Sequence, residues 1–109
     1  MDSNSGFLVV AKCSDVAPGR SMLVEMGNNR ILLSNVDGDF YAIGEACPHA
    51  GGPLSEGVIE GIEVECPFHG SRFNLKTGGV TELPALERVA RYQVRVENGN
   101  VMVGPAEGL

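Results

Sequence analysis

The sequence predicts an all-β fold, a small antiparallel sandwich or barrel, and three observations lead there. No segment carries a long apolar period of 3.6 residues, the mark of an amphipathic helix. The apolar runs are short and broken by turn residues, with 15 glycines and 6 prolines among 109 residues. The run ARYQVRVENGNVMV (90–103) alternates on both sides of Asn98-Gly99, a dipeptide suited to the positive φ angles of a two-residue hairpin turn.

Taken in order, FLVVAKC (7–13) reads as a first strand and SDVAPG (14–19) as a turn. SMLVEM (21–26) and RILLSNV (30–36) flank GNN and form a hairpin. VDGD (36–39) turns the chain into FYAIGEAC (40–47). IEVEC (62–66) sets Ile62, Val64 and Cys66 against Glu63 and Glu65, so one face is buried. SRFNL (71–75) does the same with Phe73 and Leu75. In the last hairpin Ala90, Tyr92, Val94 and Val96 point one way, and Arg91, Gln93, Arg95 and Glu97 the other.

The length suits one domain. No apolar run approaches the ~18 residues of a membrane span. The start, MDSNSGFLVV, has an acidic residue and no basic region, so no signal peptide is expected. The expectation is a soluble cytoplasmic protein with no membrane partner. A net charge of −6 argues against nucleic acid, whose phosphates need Lys and Arg. It suits approach to a basic protein surface.

Chemistry concentrates in two short stretches, CPHAGG (47–52) and CPFHG (66–70). They contain both histidines, His49 and His69, and two of the three cysteines, Cys47 and Cys66; the third is Cys13. Each pair ends a predicted strand and opens a loop of small residues, so two loops can close around one metal centre. A single buried His or Cys is usually only a core residue, but two matched pairs speak against that. A Cys47–Cys66 disulfide fits the count but not a reducing compartment. A Cys₂His₂ zinc site is chemically reasonable, although zinc sites usually keep their cysteines together. A [2Fe–2S] cluster with two histidines on one iron is the fourth reading.

CPHAGG…CPFHGSRF resembles the Rieske cluster-binding motif, C-x-H followed by C-x-x-H, and the likeness extends over nearly the whole chain. The resemblance implies a single domain, 1–109, of Rieske type, with a cluster-binding loop subdomain at about 45–85. It implies one [2Fe–2S] cluster per chain, with Cys47 and Cys66 on the inner iron and His49 and His69 on the outer. A third, proline-containing loop would correspond to TELPAL (81–86). Respiratory and photosynthetic members carry an extra cysteine in each loop; Gly52 and Phe68 stand there, so no such bridge can form.

The chain resembles instead the Rieske ferredoxins of bacterial aromatic-ring-hydroxylating oxygenases. That implies a monomeric one-electron carrier, not an enzyme, between a flavin-dependent ferredoxin reductase and a terminal oxygenase. An oxygenase component would need a mononuclear iron held by two further histidines and a carboxylate, and no histidine is left. A small subunit of another redox enzyme, such as a nitrite reductase, and a zinc-stabilised binding module are the alternatives. Ser71 keeps one hydroxyl that raises the potential in high-potential relatives, whereas Phe73 lacks the second. A potential low in the Rieske range is therefore expected.

Weaker features have two readings. Arg88, Arg91 and Arg95 form a solvated strand face or touch a partner. Glu56, Glu60, Glu63 and Glu65 form an exposed face or an acidic docking surface. Cys13 is expected to pack in or beside the first strand.

Overall fold

Two-residue turns set the frame. Asp37 and Gly38 both have positive φ (54° and 95°), as do Asn98 and Gly99 (53° and 79°). This is the backbone of a type I′ turn, whose twist matches that of paired strands. The computed structural model describes residues 6–47, 51–68, 70–82 and 88–107. Among them lie ten strands: β1 (Leu8–Lys12), β2 (Ser21–Met26), β3 (Asn29–Val36), β4 (Asp39–Gly44), β5 (Val58–Glu60), β6 (Glu63–Glu65), β7 (Arg72–Asn74), β8 (Val80–Glu82), β9 (Arg91–Glu97) and β10 (Asn100–Glu107). Short 3₁₀ turns occur at Cys13–Asp15 and Leu54–Glu56. No helix among the described residues is long and apolar enough to cross a membrane.

The strands form two antiparallel sheets. The larger has the order β1-β10-β9-β4-β3-β2 and curls into a nearly closed barrel, its edges β1 and β2 meeting. The smaller, β5-β6-β7-β8, is made wholly between β4 and β9 in sequence. The all-β expectation holds.

Strand β3 links two cores through simple alternation. Ile31 and Leu33 point into the barrel with Val24, Ala42, Val101 and Val103. Leu32, between them, points the other way and joins Ile43, Leu54, Val64, Phe73, Leu75, Val89, Cys47 and Cys66. Leu32 pairs with Ile43 across β3 and β4, so adjacent strands supply the second core from one face. Each fully buried Leu, Ile or Phe contributes about 1.5–3 kcal/mol. The small sheet therefore rests on the barrel through apolar packing, and both motif cysteines lie in that packing.

The outer face of the small sheet is charged. Arg72 on β7 donates to Glu60 on β5 (2.9 Å) and to Glu63 and Glu65 on β6 (3.5 and 3.0 Å). Three of the four glutamates read as a cluster thus gather around one guanidinium, and Glu56 stands apart and exposed. The Glu60 hydrogen bond is the main cause holding the Arg72 proton more firmly than usual.

Several expectations change in detail. The first strand ends at Lys12, and Cys13 opens a 3₁₀ turn, half-buried against the barrel core. FYAIGEAC forms a strand only to Gly44, so Cys47 lies beyond it. Val96 is 49% exposed rather than inward. The β4–β9 pairing comprises only Ala42↔Tyr92 and Ile43↔Arg91, which leaves the β4 flank of Val96 uncovered. Thr81 and Glu82 of the expected proline loop belong to β8, and residues 83–87 lie outside the described residues.

Candidate metal centre

Cys47 follows β4 on a segment held by backbone bonds at each step. Leu54 donates its N–H to the Glu45 carbonyl (2.9 Å), Ala46 bridges Pro53, and Cys47 donates to the Gly52 carbonyl (2.9 Å). Gly51 donates back to the Cys47 carbonyl (2.7 Å), which closes the loop on itself. Its positive φ of 71° makes glycine the residue without strain there.

Cys66 is placed by the alternation of IEVEC. Val64 and Cys66 share the buried face of β6 and its extension, and Cys66 donates its N–H to the Ser71 carbonyl (2.7 Å). That bond closes the second loop and brings Ser71, itself fully buried, beside the cysteine. Phe68 donates its backbone N–H to Cys66 Sγ at 3.4 Å. Its ring is 47% exposed at the loop tip.

The two loops meet at the cysteines. Both are free thiols, each 1% exposed, and they lie in the same buried core. Burial pushes the Cys66 thiol above its ordinary value; the Phe68 N–H opposes this, and the neighbouring Cys47 adds to it. Two buried thiols held together in the absence of a bond suit a soft metal that binds both as thiolates. Space supports the same fit: Gly52 is buried with its backbone against Cys66 Sγ, so nothing bulkier separates the first loop from the second cysteine. Among the described residues no three His, Cys, Asp or Glu side chains gather into a metal site. The two remaining expected ligands, His49 and His69, lie outside the described residues.

One buried contact had no counterpart in the sequence analysis. Glu45, buried at 7% exposure, accepts from the Ser55 N–H through Oε1 (2.9 Å) and from Ser55 Oγ through Oε2 (2.6 Å). The signal available was an acidic residue two positions before a cysteine in an otherwise apolar strand end.

The family model described as "Rieske [2Fe-2S] domain" matches residues 6–93. Among curated proteins, the chain is 38% identical over 94 residues to "Apoptosis-inducing factor 3" of Homo sapiens, covering 86% of this chain but 16% of that protein. It thus spans only a small part of that relative. It is 37% identical over 94 residues to "Biphenyl 2,3-dioxygenase, ferredoxin component" of Rhodococcus jostii (strain RHA1), covering 86% of this chain and 88% of that one. Among solved structures, a chain in "Complex of reduced oxygenase and oxidized ferredoxin in carbazole 1,9a-dioxygenase" superposes with a TM-score of 0.90 at 34% identity. That match covers 97% of this chain and 99% of the other.

Proposed function

Because this chain belongs to the Rieske [2Fe–2S] domain family, we propose that it is the ferredoxin of a multicomponent oxygenase, carrying single electrons to a terminal oxygenase from a flavin-dependent reductase. The carrying observation is the pair of buried free thiols, Cys47 and Cys66, packed in one core at the junction of two short loops. Such thiols are dispensable in an ordinary core and necessary for a cluster. When bound, the [2Fe–2S] group takes up and releases one electron. Cys47 and Cys66 would hold its inner iron and His49 and His69 its outer iron. The loops exclude water from the sulfurs, and the Phe68 N–H favours thiolate over thiol at Cys66.

Relatives of similar length support a carrier role rather than a catalytic one, since they are named as ferredoxin components of dioxygenase systems. The matched complex of an oxygenase with a ferredoxin supports the oxygenase as acceptor. The flavin-dependent reductase follows from the need for a one-electron donor on the other side.

The test is spectroscopic and then functional. The purified protein should absorb visible light and give a Rieske electron paramagnetic resonance signal on reduction. It should then support turnover when mixed with a reductase and a ring-hydroxylating oxygenase. A colourless, zinc-containing protein overturns the redox reading. A coloured protein that passes no electrons to an oxygenase overturns the assignment of partner.

A further inference from the structure

We infer that Glu45 is a positioning residue of the cluster site, its carboxylate acting as the clamp that holds the Cys47 loop on its base. The inference rests on the Rieske reading and extends it to a residue outside the ligand motif. A glutamate is almost never buried without partners, and Glu45 has them at every polar atom. Its backbone N–H donates to the Arg30 carbonyl on β3 (3.1 Å), and its carbonyl accepts from Leu54 (2.9 Å). Each carboxylate oxygen accepts a separate bond from Ser55, one from the backbone and one from the hydroxyl.

The loop needs this clamp for two reasons. The rung above Glu45 pairs Ala46 with Pro53, and proline has no N–H to give. Beside the described part of the loop a cleft of about 330 Å³ opens, lined by Asn28, Asn29, Arg30, Glu45, Ala46 and Pro53. Gly51, which lines it too, brings no side chain to fill it. Hydrogen bonding at Ser55 therefore does what packing does elsewhere. It ties the start of the Cys47 loop to the 3₁₀ turn at Leu54–Glu56, whose Leu54 is fully buried in the same core as both cysteines.

The clamp depends on hydrogen-bond geometry, and a glutamine can reproduce it. Its amide oxygen accepts from the Ser55 N–H, and its amide nitrogen donates to the Ser55 hydroxyl. Alanine can do neither. The experiment follows loss of visible absorption when the holoprotein meets excess iron chelator, with the electron paramagnetic resonance spectrum of each reduced variant recorded alongside. Glu45→Ala should bleach about tenfold faster than the unmodified protein, the size expected from losing two hydrogen bonds of ordinary strength. Its g-values should shift. Glu45→Gln should restore both the slow rate and the spectrum. Ser55→Ala removes only the hydroxyl bond and should bleach about threefold faster; it serves if Glu45→Ala does not accumulate. Glu45→Ala or Ser55→Ala bleaching at the unmodified rate, or Glu45→Gln bleaching as fast as Glu45→Ala, overturns the clamp. An unmodified protein with no iron–sulfur chromophore overturns the Rieske reading beneath it, so the two failures are distinct.

Discussion

Gly52 rests against the sulfur of Cys66: a β-carbon at position 52 would stand 2.7 Å from Sγ and 3.0–3.1 Å from the Phe68 ring. The first loop therefore touches the second cysteine through bare backbone. The φ of Gly52 lies outside the left-handed region, so glycine is required there for space alone. The motif resemblance implies a cysteine at each of these two positions in the respiratory and photosynthetic members. Here the same neighbours are a glycine and an aromatic ring, and the ring occupies the side chain's place.

Gly52→Ala should push Cys66 or Phe68 aside at a cost of about 1–3 kcal/mol, as overpacking usually does. Iron and sulfide per chain should fall, and the remaining cluster should bleach more readily. Full loading with unchanged stability would show that the loops part freely.

The ligand assignment separates the cysteines cleanly. His49→Ala and His69→Ala should each abolish the Rieske signal, as should Cys47→Ala and Cys66→Ala. Cys13→Ser should leave the spectrum unchanged, because Cys13 packs against the barrel core and not against the cluster core. Loss of colour in Cys13→Ser would mean that the wrong thiols are named.

Position 73 tests what sets the potential. Phe73 is fully buried in the same core as Cys47 and Cys66. With no hydroxyl there and an acidic chain, voltammetry should place the midpoint low in the Rieske span of about −150 to +300 mV. Phe73→Tyr should raise it, since a hydroxyl bonded to a cysteine sulfur stabilises the reduced state. A clearly positive midpoint for the unmodified protein contradicts this account.

Arg72 holds together carboxylates that would otherwise repel. Arg72→Gln should lower the thermal midpoint of the holoprotein, and added salt should shrink the difference by screening Glu60, Glu63 and Glu65. A difference that is flat in salt would assign the effect to packing of the arginine stem.

Net charge gives a kinetic expectation. At −6 the chain should be steered toward a basic partner, and second-order electron transfer should slow as the Debye length falls to about 8 Å at physiological strength. Stopped-flow rates that do not change with salt would remove steering from the account.

Much of the scaffold was legible because alternation and turn dipeptides are local signals. Val64, Cys66, Phe73 and Leu75 are buried as their periodicity requires, and both Asp37-Gly38 and Asn98-Gly99 form their turns. β5 and β8 were not legible. Each has three residues, too few to show a period, with one inward apolar side chain apiece, Ile59 and Val80. The exposure of Val96 depends on where β4 and β9 part, a tertiary fact. The Glu45–Ser55 bond spans ten residues across a loop, and only the folded backbone brings its ends together. That Cys47 and Cys66 come together in one core accords with their spacing; the residues that hold them in place were not readable.

The division of β3 between two cores also orders events during biogenesis. Strands of three residues do not persist alone, and the small sheet's core includes Leu32 and Ile43, which a paired β3–β4 hairpin delivers. The hairpin is local and closes early, whereas β9 and β10 must be synthesised before the barrel is complete. An assembly factor handing over iron and sulfide would therefore meet Cys47 and Cys66 in order only after β9 and β10 are in place. A truncation that removes the last hairpin should forfeit the cofactor although it removes no proposed ligand.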